Sequence, residues 1–291
     1  MGNLHQENHS MTIESVVGIS VYALDNPAWI EESIQSILNQ TYQDFLLGIY
    51  IDGPVNADIQ TVISHYQHHA KIVIFPNANA LGLAQGINRL MSWGRELSAE
   101  YYFRMDADDV ALPDRLKKQI AYFKSNPTIG VLGGTVMEFS GVYAGNDTKY
   151  TGKRELPLAH EQIVSMLPKI SPLNHPTVCF RYSLIPSDTL YETDSGLAED
   201  YRLWVNLVML DVQFANLPDI LVAFRITPNF YQRRSLARAW SDYKARMYAI
   251  KTLNQQSISN WLFALGVLMI RLMPSGVVKF VYRFRHHLNK A

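Results

Sequence analysis

The chain of 291 residues carries a single cysteine, Cys179. An internal disulfide is therefore excluded, a reducing compartment fits, and the residue reads as a small buried side chain rather than a catalytic thiol. A membrane-spanning run is also lacking. The longest near-continuous apolar stretch, WLFALGVLMIRLM at 261–273, has 13 residues and is interrupted by Arg271. That falls short of the roughly 20 residues a bilayer crossing needs. The opening MGNLHQENHSMTIES has neither a basic n-region nor an apolar h-region, so it is not expected to act as a signal peptide. Gly2 followed by Ser10 does not give myristoylation spacing, and residues 1–14 read as a flexible tail. No repeat, low-complexity tract or linker stands out before about residue 230.

Net charge is zero, but its distribution is uneven. Through Asp219 there are 14 Lys and Arg against 25 Asp and Glu, a balance of −11; from Ile220 onward there are 12 against one, a balance of +11. Such asymmetry implies that one end meets a polyanion or an anionic membrane, or that the two ends neutralise each other. The basic end is also apolar: VVKFVYRFRHHLNK mixes Val, Phe and Tyr with Lys279, Arg283, Arg285 and Lys290. Residues 231–291 are thus expected to form a basic, apolar helical extension lying on a membrane surface, with a packed core helix or a dimer contact as the alternative. Nucleic acid is not an expected partner, and the oligomeric state is not legible.

Periodicity organises the rest. Strand-like β-branched or aromatic runs at 16–25, 45–54, 71–77, 100–106, 129–140 and 176–185 alternate with helical patterns. The helices are expected at 27–40, 57–69, 81–97, 112–127, 158–167 and 198–210. Strands alternating with helices predict an α/β fold with a mostly parallel central sheet flanked by helices. One domain over 15–230 accommodates them all.

Ligands of such sheets bind beyond the carboxyl ends of the strands. Two acidic groups fall there: Asp52, after FLLGIYI, and the cluster in YYFRMDADDVALPDR. Strand alternation points Asp106 and Asp108 the same way. Paired carboxylates there suit a divalent cation, Mn²⁺ or Mg²⁺, shared with an anionic substrate such as a nucleoside diphosphate. Asp109 and Asp114 are assigned to the turn and the next helix start. The plainer alternative is a loop of exposed aspartates. Arg104 and Arg115 flank the cluster and meet either phosphate or a neighbouring carboxylate. Arg181 reads as a surface residue.

Several ordered pieces together resemble the family 2 glycosyltransferases, whose nucleotide-sugar-binding fold is called GT-A. These are SVYALDNPAWIEESIQSILNQTYQDF, IDGP, NALGLAQGINRL, FRMDADDVALPDRLKKQ, HPTVCFR and GLAEDYRLW, across residues 16–225. The acidic-turn segment is close to the form used by polysaccharide-assembly members. The resemblance implies that Asp52 accepts a hydrogen bond from the base, typically uracil. It also places Ser20, Tyr22, Gly82, Asn88, Arg104 and Asp106 at the nucleotide, and Asp106 and Asp108 at the metal. Asp200 matches the catalytic base of inverting transfer, with Glu199 orienting it or contacting the acceptor or loop backbone, and His175 a donor or acceptor contact. Glu199 and Asp200 also suit a helix's first turn, where the macrodipole favours acids.

The resemblance implies transfer of one sugar from a UDP-sugar to a glycan acceptor, expected to be lipid-linked on the cytoplasmic face of the membrane, in bacterial surface-polysaccharide assembly. YQRRSLARAW does not reproduce the Q-x-x-R-W motif of processive synthases, which favours one sugar per event. Two rival readings remain. DADDV fits the D-x-D-x-[TV] pattern of haloacid-dehalogenase-like phosphatases, although it ends about the fourth strand and no G-D-x-x-x-D follows. A non-catalytic, membrane-bound glycan- or nucleotide-binding scaffold is the other. Sugar, linkage and acceptor identity are not legible.

Overall fold

The computed structural model describes residues 13–194, 198–227 and 236–272. Most of the expected N-terminal tail and the basic segment 277–290 lie outside them.

The first half of the sheet follows from buried, β-branched runs joined by helical crossovers. β1 (Ser15–Tyr22), β2 (Phe45–Asp52), β3 (Ile72–Pro76) and β4 (Tyr101–Asp106) lie parallel in the order β3-β2-β1-β4. Between them run α1 (Pro27–Leu38), α2 (Ala57–Ser64) and α3 (Leu83–Glu96), the crossovers parallel pairing demands. Asn26 and Asn56 start α1 and α2 by accepting from Ala28 N and Ile59 N, and Pro27 supplies a preset first turn.

Then come β5 (Val110–Ala111), α4 (Arg115–Ser125), β6 (Ile129–Phe139), β7 (Tyr150–Arg154) and α5 (His160–Met166). β8 (Cys179–Arg181), α6 (Glu199–Met209), β9 (Gln213–Arg225), α7 (Leu236–Thr252) and α8 (Ile258–Leu272) complete the described chain. The sheet continues β4-β8-β6-β9-β5, with β7 beside β6. Its antiparallel joins are short, whereas β6 and β9 form a long parallel ladder. The sheet is mostly parallel, as its sequence pattern requires.

Two apolar layers cover it. Ile30, Ile34 and Ile37 of α1, Ile59 and Ile63 of α2, and Leu116, Ile120 and Phe123 of α4 pack on one face. Ile87, Leu90 and Trp93 of α3, Leu203, Trp204 and Leu207 of α6, and Ala245 and Ala249 of α7 belong to the other layer. Gly86 lets α3 approach: a Cβ there would sit 2.7 Å from the Tyr50 ring and 2.8 Å from Ser20 Oγ. The start of α3 is thereby held close to the strand ends.

The C-terminal helices divide in role. α7 is docked: its buried Arg246 donates to Lys169 O, and Tyr248 OH donates to Asn206 Oδ1. α8 buries Asn260, Ala264 and Leu268 and ties Arg271 to Asp242 of α7. Its Ile258, Leu262, Leu265, Met269 and Leu272 remain exposed at helical spacing. Among the described residues, no helix is long and apolar enough to cross a membrane.

Candidate active site

Register brings the expected residues into one row. Tyr22 of β1 lies opposite Asp52 of β2, and Ser20 of β1 opposite Asp106 of β4, all at carboxyl ends of parallel strands. Beyond them opens a cleft of about 480 Å³ lined by Ser20, Tyr22, Asp52, Gly82, Asp106, Asp108 and Glu199. Asp25, Leu83, Ala107, Phe224, Arg225, Thr227 and Arg238 complete its wall. Seven of the positions expected at a site thus converge.

At one end, Asp52 Oδ1 accepts from Leu81 N at 2.6 Å, and Gly82 N lies 3.0 Å from Oδ2. The carboxylate shapes the loop before α3 and keeps acceptor capacity for a ligand. Gly53 permits this contact, because at φ +81° its position would put a Cβ 2.7 Å from Ala80 N. Gly82 has φ +91°, which a side chain disfavours, although space around it is open. Tyr22 N donates to Asp25 Oδ2 at 2.9 Å, fixing the end of β1.

At the other end is the acidic turn. Oxygens of Asp106, Asp108 and Asp109 all lie within 4.8 Å of one another. Arg104 grips both oxygens of Asp106 in a bidentate pair. Asp109 is fully buried, so it is neither exposed nor a cap of the next helix. Its Oδ1 accepts from Arg225 N at 2.8 Å and its Oδ2 has no hydrogen-bond partner. Burial, then the Asp108 and Asp106 charges, push the Asp109 carboxyl well above the usual carboxylate range. An all-oxygen set with excess negative charge and one unsatisfied buried oxygen fits Mg²⁺ or Mn²⁺. Asp114, at the start of α4, accepts from Thr41 Oγ1 at 2.7 Å. Gln40 donates to Leu112 O and accepts from Leu116 N, so the Asn-Gln-Thr-Tyr turn anchors the segment after the acidic turn.

Sequence reasoning missed Arg225, the last residue of β9. Its Nε donates to Asp108 O at 2.7 Å, and its fork reaches Glu32 and Gly141 O. The guanidinium lies 5.0 Å and 4.5 Å from the rings of Trp29 and Phe139. No local pattern marks it, because its partners are scattered along the chain.

Glu199 and Asp200 open α6. Glu199 lines the cleft, whereas Asp200, the next residue in the first turn of α6, does not; Ser171 Oγ lies 3.4 Å from its Oδ2. Burial raises the Asp200 carboxyl, opposed by the Tyr201 N–H, the Arg104 charge and Ser171. Burial likewise raises Glu199, with Asp200 adding to it. Both remain within the field of Arg104.

Other expected contacts lie outside the cleft wall. Asn88 is buried and spends its amide on Tyr191, donating to O at 2.8 Å and accepting from N at 2.9 Å. It braces the chain before α6 rather than facing the cleft. His175 pairs with Tyr191 OH at 2.9 Å and packs on Trp204; burial and Arg104 hold its imidazole well below the usual range, hence neutral. Arg104 is committed to Asp106 behind the wall. Arg115 is buried, donating to Arg104 O at 2.6 Å, and desolvation lowers it to about 10. Arg181 is not a surface residue: buried, it donates to Phe123 O at the end of α4.

Comparison with known proteins fits this geometry. The model of glycosyl transferase family 2 matches residues 17–184. The amylovoran biosynthesis glycosyltransferase AmsE of Erwinia amylovora is 31% identical over 268 residues, covering 91% of this chain and 96% of that protein. The UDP-Gal:alpha-D-GlcNAc-diphosphoundecaprenol beta-1,3-galactosyltransferase of Escherichia coli is 24% identical over 267 residues, covering 91% and 94%. Among solved structures, the mannosyltransferase PcManGT of Pyrobaculum calidifontis, in complex with GDP-Man and Mn²⁺, superposes with a TM-score of 0.63 at 15% identity, covering 96% and 81%. The fold is of the GT-A type.

Proposed function

The chain belongs to glycosyl transferase family 2, and from that premise we propose that it is an inverting enzyme moving a single sugar from a UDP-sugar to a lipid-linked glycan acceptor. The observation that carries this reading is the cleft itself. Asp52, Ser20, Tyr22 and Gly82 stand at one end, suited to a nucleoside, and the Asp106–Asp109 turn stands at the other, suited to a cation-bound diphosphate. A divalent cation held at the turn would supply positive charge to the departing diphosphate. Asp200, beside Glu199 in the first turn of α6, takes the proton of the acceptor hydroxyl as it attacks the anomeric carbon. Glu199 forms the donor-side wall.

The galactosyltransferase relative, named for a diphosphoundecaprenol acceptor, supports a lipid-linked substrate here. The exposed apolar stripe of α8 and the basic C-terminal end support a cytoplasmic enzyme held at the inner membrane face. Surface-polysaccharide assembly is the setting. The phosphatase reading loses ground, because Asp106, which would be its nucleophile, is gripped by Arg104 on the fourth strand of the chain.

The test is turnover of a panel of nucleotide sugars with Mn²⁺ and an extract of lipid-linked glycans. Release of UDP together with sugar incorporation into lipid is expected. Phosphomonoester cleavage, or nucleotide binding without turnover, would refute the proposal.

A further inference from the structure

Among the described residues, the cleft wall holds two basic side chains, Arg225 and Arg238. Arg225 is committed within the protein: its Nε donates to Asp108 O at 2.7 Å, and its fork reaches Glu32 and Gly141 O. Arg238 belongs to a different element, the first turn of α7, and is half-buried. Its neighbour Ala239 is buried, so packing of the helix sets where the guanidinium enters the wall.

α7 is built onto the side of the cleft where α6 begins. The segment 167–171 joins the two helices. Leu167 O accepts from Tyr201 OH, and Ser171 Oγ lies 3.4 Å from Asp200 Oδ2, both in the first turn of α6. Between them, Lys169 O accepts from Arg246 of α7 at 2.8 Å. Electrostatics follow the same arrangement. Burial raises Glu199 and Asp200; among the smaller effects, Arg238 lowers Glu199, and Asp242, one turn along α7, raises Asp200. The side-chain charges acting on buried Asp109, at the acidic turn, are instead those of Asp108, Asp106 and Arg104.

Thr227, just after β9, lines the same wall, and its Oγ1 is buried without a hydrogen-bond partner. A buried hydroxyl without a partner costs free energy unless a ligand completes it. A guanidinium and a hydroxyl donor on one wall suit phosphate oxygens. The donor diphosphate is already matched by the acidic turn, and a lipid-linked acceptor brings phosphate of its own. A phosphate on the anomeric carbon of the accepting sugar lies one ring away from the hydroxyl that attacks. With that hydroxyl at Asp200, the phosphate reaches the wall beside Glu199.

We propose that Arg238 and Thr227 form a subsite for the acceptor's phosphate, the one that joins the accepting sugar to its lipid. The inference rests on the lipid-linked acceptor reading given above and narrows it. The sugar that receives is attached directly to phosphate, so its supplier is a reaction that places a first sugar on a lipid phosphate.

The experiment offers the full chain matched acceptors, octyl glycosides and octyl-diphosphate glycosides of the common hexoses and N-acetylhexosamines, with a panel of UDP-sugars and Mn²⁺. The readout is the ratio of kcat/KM between each diphosphate acceptor and its neutral counterpart, beside calorimetric UDP affinity and melting temperature. The parent should favour the diphosphate acceptor by at least about tenfold, as expected for a charge-assisted contact. Arg238→Gln should abolish that preference, Arg238→Lys should restore part of it, and Thr227→Val should reduce it about threefold. Lys244→Gln, exposed on α7, should leave it unchanged. Equal use of both acceptors by the parent, or a preference that survives Arg238→Gln, overturns this inference alone. UDP affinity that falls in Arg238→Gln as far as acceptor turnover assigns the guanidinium to the donor and overturns it too. A preference intact in Thr227→Val removes the hydroxyl from the subsite. Transfer to an extract of lipid-linked glycans but to neither matched set also overturns this inference alone. Absence of transfer to the extract as well overturns the transferase reading on which it rests.

Discussion

Replacing Asp200 by Asn keeps the shape of the side chain and removes its capacity to accept a proton. Asp200 stands outside the lining of the cleft, and its contacts are Ser171 Oγ at 3.4 Å and the first turn of α6. Its loss should therefore leave the donor in place and strip only the general base. Such catalysis contributes about 10²–10⁴-fold, so kcat should fall about 10³-fold, roughly 4 kcal/mol of transition-state stabilisation. UDP affinity should stay within about threefold, because nothing that faces the nucleotide has changed. The assay is initial-rate release of UDP from the donor, beside calorimetric titration with UDP. The pH profile gives a second readout. Burial raises the Asp200 carboxyl, and the base works only when ionised, so activity should rise with pH through a value above that of an ordinary aspartate. The stability sign is opposite. A raised folded-state value means the folded chain holds the proton after the unfolded chain has lost it. Asp200 therefore lowers stability as pH rises from the ordinary carboxylate value through its own, and Asp200→Asn should melt no lower than the parent at neutral pH. A kcat within tenfold of the parent, or UDP affinity falling as steeply as kcat, would refute the assignment.

Asn88→Ala should leave the buried N–H and C=O of Tyr191 without their partners and cost about 2–4 kcal/mol in chemical denaturation. UDP affinity of the folded variant should be unchanged; a selective loss of nucleotide binding would instead place Asn88 at the ligand. Leu262→Asp with Met269→Asp interrupts the exposed stripe of α8 without touching the buried Ala264 and Leu268. Co-sedimentation with anionic vesicles should fall at least severalfold while soluble turnover persists, and unaltered sedimentation would detach α8 from membrane binding.

Much of the molecule was legible because its signals are local. The β-branched runs and 3.6-residue stripes place β1 to β4, β6, β8 and helices α1 to α6 within about five residues of where they stand, but not β5 or β7. Asp52, Asp106 and Asp108 stood out as acids at strand ends, and they line the cleft. What escaped is set by long-range pairing. β9 contains Pro218, and its register against β6 shifts near Thr135, so no strict alternation marks it. β5 has only two residues and borrows its identity from β9. Asn88 looks like a ligand from its motif, yet its partner Tyr191 lies 103 residues away. Asp109 and Arg225 are joined across 116 residues, so neither announces the other. α7 docks through Ala239, Ala245 and Ala249, small residues that leave a weak apolar stripe.

The central claim is that the cleft holds a uridine diphosphate between Asp52 and a cation at the acidic turn. Calorimetric titration of the full chain with UDP, in Mn²⁺ and then in chelator, tests it most directly. Affinity should be at least about tenfold higher with Mn²⁺, an advantage lost in Asp108→Ala, and binding should weaken in both conditions for Asp52→Ala. Equal affinity with and without Mn²⁺, or UDP binding indifferent to Asp52, would contradict it.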